Sequence, residues 1–110
     1  MMQLTDTQWS VTEQNIAQAA LEKAKQREIN ALITTVRQQA SGIQQFDDLW
    51  YLHDFLSARR YDLDGKYDSR NATVIFALAG LVKEGWLKLG ELEGLDKEKI
   101  TKVSAMTRMI

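Results

Sequence analysis

Residues 10–40 read SVTEQNIAQAALEKAKQREINALITTVRQQA, and this stretch decides the fold. Ser10-Val11-Thr12-Glu13 has the form of a capping box, with the serine hydroxyl and the glutamate carboxylate each taking the other's backbone N–H. A helix therefore begins at about Val11. No glycine or proline interrupts the run to Ala40, and Ile16, Ala20, Leu21, Ala24, Ile29, Leu32, Ile33 and Val36 recur at spacings near three and four. Gly42 is the expected stop. About 30 helical residues span roughly 45 Å, whereas a compact chain of about 100 residues makes a ball only about 34 Å across. The helix projects beyond any globule this chain can form, as an elongated arm or as half of a dimer. Ala17, Ala19, Ala20 and Ala24 in its first half permit close helix–helix approach.

Gly42 to Asp47 is a short connection, so a second helix, about 47–62, is expected to fold back antiparallel to the first. Asp47 is placed to cap it and Asp64-Gly65 to stop it. At about 100° per residue, Phe46, Leu49, Trp50, His53, Ser57 and Arg60 share one face, and Tyr51, Leu52, Phe55 and Ala58 another. A surface helix needs one apolar stripe. A helix with two faces has two things to pack against, and the second is either core or another molecule. Asp54 meets Ala58 at i+4 and Arg60 meets Leu56 at i−4, so neither finds a helical ion-pair partner, which favours pairing across an interface.

Asp62 to Asp68 reads as a turn, and a third helix is expected from about Asp68 to Glu84 through the most apolar segment of the chain. Gly85 and Gly90 punctuate the segment beyond it. Asp96 then caps a last helix with Ile100, Val103 and Met106 on one face and Lys97, Lys99, Lys102 and the preceding Lys88 around it. The expected architecture is all-α. A single domain, 1–110, forms a long antiparallel hairpin (11–40 and 47–62) with a small helical head (68–110), and dimerises through the long helices.

The formal net charge of −1 argues against broad electrostatic capture of nucleic acid or anionic lipid. Without cysteine there is no disulfide, thiol nucleophile or thiolate metal site. The N-terminal segment has neither the basic region nor the apolar core of a signal peptide. The apolar run Val74 to Val82 is less than half of the roughly 20 residues needed to span a bilayer. The chain reads as soluble and intracellular.

Little here resembles catalysis. His53 beside Asp54 has the elements of a general base, or with Asp47 of a metal ligand, yet no nucleophile or oxyanion site accompanies it. It reads as a structural or interface histidine. No catalytic residue, metal or cofactor is assigned. Arg59-Arg60 and the C-terminal lysines offer a second reading, a small dimeric helical regulator that binds nucleic acid through its C-terminal half. Leu81 to Leu87 resembles the end of a winged-helix recognition helix, but Asp47, Asp48, Asp62, Asp64 and Asp68 lie close enough to cancel those cations.

Asp47-Asp48-Leu49-Trp50, Leu52-His53-Asp54-Phe55-Leu56-Ser57-Ala58, Arg60 and Asp64-Gly65-Lys66-Tyr67-Asp68 resemble the central signature of the cyanobacterial fluorescence recovery protein family. Trp9-Ser10, Gln26-Arg27-Glu28, Ile75-Phe76 and the chain length extend the likeness over nearly the whole sequence. The resemblance implies an all-helical homodimer, with higher oligomers conceivable, that carries no chromophore and does no covalent chemistry. Its implied partner is the photoactivated, red form of the orange carotenoid protein, bound chiefly through its C-terminal domain. Release of that protein from the phycobilisome and its faster return to the orange form would restore antenna fluorescence. The implied location is the cytoplasm, near phycobilisomes at the thylakoid surface, without membrane insertion. By matching position, Trp50, His53, Asp54 and Arg60 correspond to the functional patch, with Phe76 and Lys102 in the head region that meets the partner. Leu49, Trp50, Asp54 and Arg60 correspond to the dimer interface. Whether Asp54 and Arg60 pair across the dimer or touch the partner stays open. The residue-level alternatives are core packing for Phe76 and a solvated helix face for Lys102. Tyr51, Tyr61 and Trp86 depart from the family pattern.

Overall fold

Ser10 and Glu13 close the capping box: the Glu13 N–H donates to Ser10 Oγ at 3.0 Å and the Ser10 N–H to Glu13 Oε1 at 3.1 Å. The computed structural model describes residues 9–67 and 74–110. Among the described residues four α-helices run in order: α1 (Val11–Ser41), α2 (Phe46–Lys66), α3 (Val74–Glu84) and α4 (Lys97–Met109). A 3-10 turn at Leu89–Leu92 joins α3 to α4, and no strand forms among the described residues.

Burial on α1 follows one stripe, Glu13, Ala17, Ala20, Leu21, Ala24 and Glu28, with small residues in the middle and a carboxylate at each end. The alanines let the head approach, and Leu78, Leu81, Leu87, Leu92, Leu95 and Val103 fill the space together with Trp9. Each fully buried leucine contributes roughly 1.5–3 kcal/mol. Gly85 ends α3 in the left-handed region (φ +89°), with the Trp86 N–H on the Leu81 carbonyl at 3.0 Å and its own on Val82 at 3.1 Å. Gly94 (φ +108°) lies against α1 so closely that a Cβ would stand 2.4 Å from Ile16 Cδ1.

At the first end of the stripe, Glu13 accepts the Asp96 N–H at 3.0 Å and Lys99 Nζ at 3.1 Å, and Lys99 lies 5.0 Å from the Trp9 ring centroid. Lys99 is thus buried, whereas Lys97 is exposed, because Glu13 and the indole face replace water around Lys99. Asp96 caps α4 through the Lys99 N–H at 2.9 Å, as its position suggested.

The hairpin is antiparallel. Glu28 and Arg59, equally distant from the turn on their two helices, meet at 2.7 Å. Two details correct the sequence reading. Asp48, not Asp47, holds the start of α2, accepting the Gln44 and Gln45 N–H groups at 3.0 Å each. Asp62 to Lys66 is helix and not a turn, because Lys66 and Tyr67 gain a partner in Glu28 by continuing the spiral past Gly65. The expected third-helix start at Asp68 and the leader before Trp9 lie outside the described residues. The molecule extends 59 × 25 × 25 Å with a radius of gyration of 17.1 Å, against about 13 Å for a compact chain of this length.

Candidate functional site

The hairpin end of α2 carries a ladder of exposed rings. Phe46 and Trp50 meet edge to face at 5.7 Å, and Trp50 and His53 at 6.1 Å, with interplanar angles of 87° and 84°. Trp50 keeps 53% of its surface exposed and Leu49 47%, so this face is not core within the chain. None of α2 is buried.

His53 Nδ1 lies 3.3 Å from Asp54 Oδ1, and these side chains are 68% and 81% exposed. Such a pair is solvated and contributes little to stability. Among the described residues no group of three or more His, Cys, Asp or Glu side chains is arranged for a metal.

Read at a period of 3.5, Phe46, Leu49, His53, Leu56, Arg60 and Leu63 form a heptad seam with leucine at every second position. Division into 100° faces missed it, although the spacing was there to see. The lower seam opens onto a groove of about 690 Å³ between α1 and α2, lined by Lys25, Leu32, Leu56, Arg60 and Leu63 among others.

The adjacent arginines differ. Arg59 is held by Glu28, whereas Arg60 is exposed and has no carboxylate partner among the described residues. Phe76, on α3, is 58% exposed, although Leu78 and Ala79 beside it are fully buried. Lys102 is half-buried, with Nζ 3.6 Å from Glu98. The structure therefore gathers Leu49, Trp50, His53 and Asp54 near the hairpin turn and leaves Phe76 and Lys102 on the head, at the other end of the molecule. With Arg59 on Glu28, Lys99 on Glu13 and Lys102 on Glu98, the basic patch suggested for nucleic acid loses three of its cations to carboxylates.

Glu28 is the residue the sequence reading passed over. It is 2% exposed and takes Arg59, Lys66 and the Tyr67 hydroxyl. Burial pushes its carboxyl up, but the Tyr67 and Lys66 bonds and the nearby cations outweigh this and hold it below the usual range. The same burial and the Glu28 charge push the Tyr67 phenol up. The available signal was a glutamate at the next position of the alanine stripe.

Residues 9–107 match the family of the photoprotection regulator fluorescence recovery protein. The chain belongs to that family. It is 48% identical over 109 residues to the fluorescence recovery protein of Synechocystis sp. PCC 6803, covering 99% of this chain and all of the relative. The solved fluorescence recovery protein of Fremyella diplosiphon superposes with a TM-score of 0.89 at 52% identity, over 93% of this chain and 100% of that one. That of Synechocystis gives 0.89 at 50% identity, over 92% and 99%. The resemblance read from the Trp50 signature is borne out, as is the all-α fold with its long first helix. The family is one of non-enzymatic regulators that restore fluorescence after quenching by the orange carotenoid protein system. Among the described residues no helix is long and apolar enough to cross a membrane.

Proposed function

We propose that this chain binds the red form of the orange carotenoid protein, chiefly its C-terminal domain, frees it from the phycobilisome and speeds its return to the orange form. The observation that carries this reading is α2, a helix of 21 residues with no buried side chain and an aromatic ladder open to solvent. Exposed apolar surface of that kind marks an interface, and Trp is the usual anchor of one.

The protein acts as a homodimer joined through its long helices, with the Leu49 seam against a second copy. In it, Trp50, His53, Asp54 and Arg60 form the functional patch, and Arg60 finds in the dimer or the partner the carboxylate it lacks here. Phe76 and Lys102 extend the partner contact to the head. Work is done in the cytoplasm beside the phycobilisomes. Accelerating a downhill relaxation requires a surface that binds the barrier region better than the red state, and two linked sites lower the entropic part of that barrier.

The test mixes purified protein with photoactivated carotenoid protein and follows red-to-orange absorbance in the dark. Faster recovery with wild type, lost in Trp50→Ala, supports the reading; unchanged recovery with folded protein rejects it.

A further inference from the structure

Two adjacent residues of α1 grip different parts of the molecule. Arg27 makes a two-pronged contact with Glu91, both bonds 2.8 Å, and donates to the Trp86 carbonyl at 2.9 Å, so it holds the loop of the head. Glu28 takes Arg59 at 2.7 Å and Lys66 at 2.9 Å, both from α2, and the Tyr67 hydroxyl at 2.5 Å. Lys66 also pairs with Glu84, the last residue of α3, whose carboxylate accepts the Trp86 indole N–H at 3.1 Å. These contacts close a triangle: α1 to head, α1 to α2, and α2 to head.

A buried ion pair is a weak source of net stability, because desolvation offsets much of its attraction. Geometry is what such a cluster can supply. Three charge-assisted donors converge on one carboxylate and are satisfied together in one arrangement. Apolar packing does not do this for α2, which buries no residue. We infer that Glu28 is a positioning residue: with Lys66 and Tyr67 it fixes the angle at which α2 carries its Trp50 face relative to the head and Phe76. The inference rests on the proposed function, in which those two surfaces meet one partner. Glu28 acts on that partner only through the surfaces it orients.

The absence of cysteine lets spin labels be placed at two exposed positions, Gln44→Cys at the hairpin turn and Lys83→Cys on α3. Labelled chain is diluted into unlabelled chain and the distance distribution read by pulsed electron-spin resonance. Glu28→Gln, which leaves Lys66 paired with Glu84, is examined alone and with Lys66→Met, and Lys66→Met is run by itself so that loss of the Lys66–Glu84 pair is separated from loss of Glu28. The expected result is a narrow distribution in the wild-type background that broadens in the double variant, with the helical circular dichroism signal retained. In the recovery assay, maximal acceleration at saturating protein falls roughly tenfold, since small misplacement of a binding surface is costly to a rate. Tyr67→Phe, which leaves both cations on Glu28, falls less. An unbroadened distribution, or a folded double variant with undiminished maximal acceleration, overturns the inference. If the wild type does not accelerate recovery, the proposed function falls, and the distance distribution alone decides whether Glu28 fixes the angle.

Discussion

Lys99 Nζ lies 3.1 Å from Glu13 Oε1 across 86 residues of sequence, tying the first turn of α4 to the first turn of α1. Both side chains are nearly shut off from water, at 4% and 11% exposure. Lys99→Ala leaves the Glu13 carboxylate without its cation, and a loss of about 3 kcal/mol is expected. Urea unfolding followed by circular dichroism checks it; a loss below about 1 kcal/mol, the level of a solvated pair, places Lys99 at the surface instead.

Arg59→Ala and Arg60→Ala are expected to fail in different ways. Arg59 gives Glu28 a charge-assisted bond, so its removal lowers stability by about 2 kcal/mol. Arg60 is exposed and pairs with no carboxylate among the described residues, so Arg60→Ala is expected to unfold like wild type and to lose recovery acceleration or dimer mass. Thermal unfolding beside the recovery assay separates the two, and equal stability losses contradict the division of labour.

α3 offers a second contrast. Leu78→Ala opens the centre of the core and costs about 2–5 kcal/mol. Phe76→Ala, two residues away and exposed, shifts stability by less than about 0.5 kcal/mol while weakening partner binding. Titration calorimetry against photoactivated carotenoid protein reads the binding. Unchanged affinity returns Phe76 to the ordinary surface.

Trp50→Ala is the sharpest case on α2. As an exposed ring it leaves the folding midpoint nearly unchanged, but as an interface anchor its loss weakens association by about 2 kcal/mol, or roughly 30-fold. Sedimentation equilibrium for the dimer and calorimetry for the partner show which contact it anchors. No change in either removes Trp50 from both.

Acid should unfold the protein through carboxylates spread over both ends of the α1 stripe. Bonds from the Asp96 and Ser10 N–H groups, with Lys99, hold Glu13 low; Tyr67, Lys66 and Arg59 hold Glu28 low against the effect of burial; Arg27 and the Lys88 N–H bring Glu91 from 4.5 to about 2. Between those depressed values and 4.5 the unfolded chain binds more protons than the folded one, so stability rises with pH in that window and is fully present above it. Urea midpoints at pH 7, 4.5 and 3 are expected to hold and then fall. Glu91→Gln flattens the fall, and an unaltered slope shows that Glu91 does not contribute to it.

What could be read from sequence was what local chemistry controls. A capping box is complete within four residues, and an unbroken run free of glycine and proline fixes a long helix wherever it later packs. The aromatic face of α2 was legible as a face, because periodicity says which residues share a side; it does not say what covers that side. In the continuous apolar run of α3, no pattern separates outward Phe76 from inward Leu78. The carboxylate positions on the α1 stripe were visible, yet their cations come from α2 and α4, dozens of residues away, and only tertiary packing brings them there. Arg59 and Arg60 were indistinguishable for the same reason: a single residue step of about 100° around the helix aims the first at Glu28 and the second at the groove.

The unbroken α1 also governs how the protein moves through solvent. A radius of gyration of 17.1 Å is that of a compact chain of about 220 residues, twice the length of this one. A lone protomer will therefore emerge from a sizing column close to where a spherical pair would, and its drag alone will imitate association. Scattering mass, which is indifferent to shape, is the quantity that tells one copy from two.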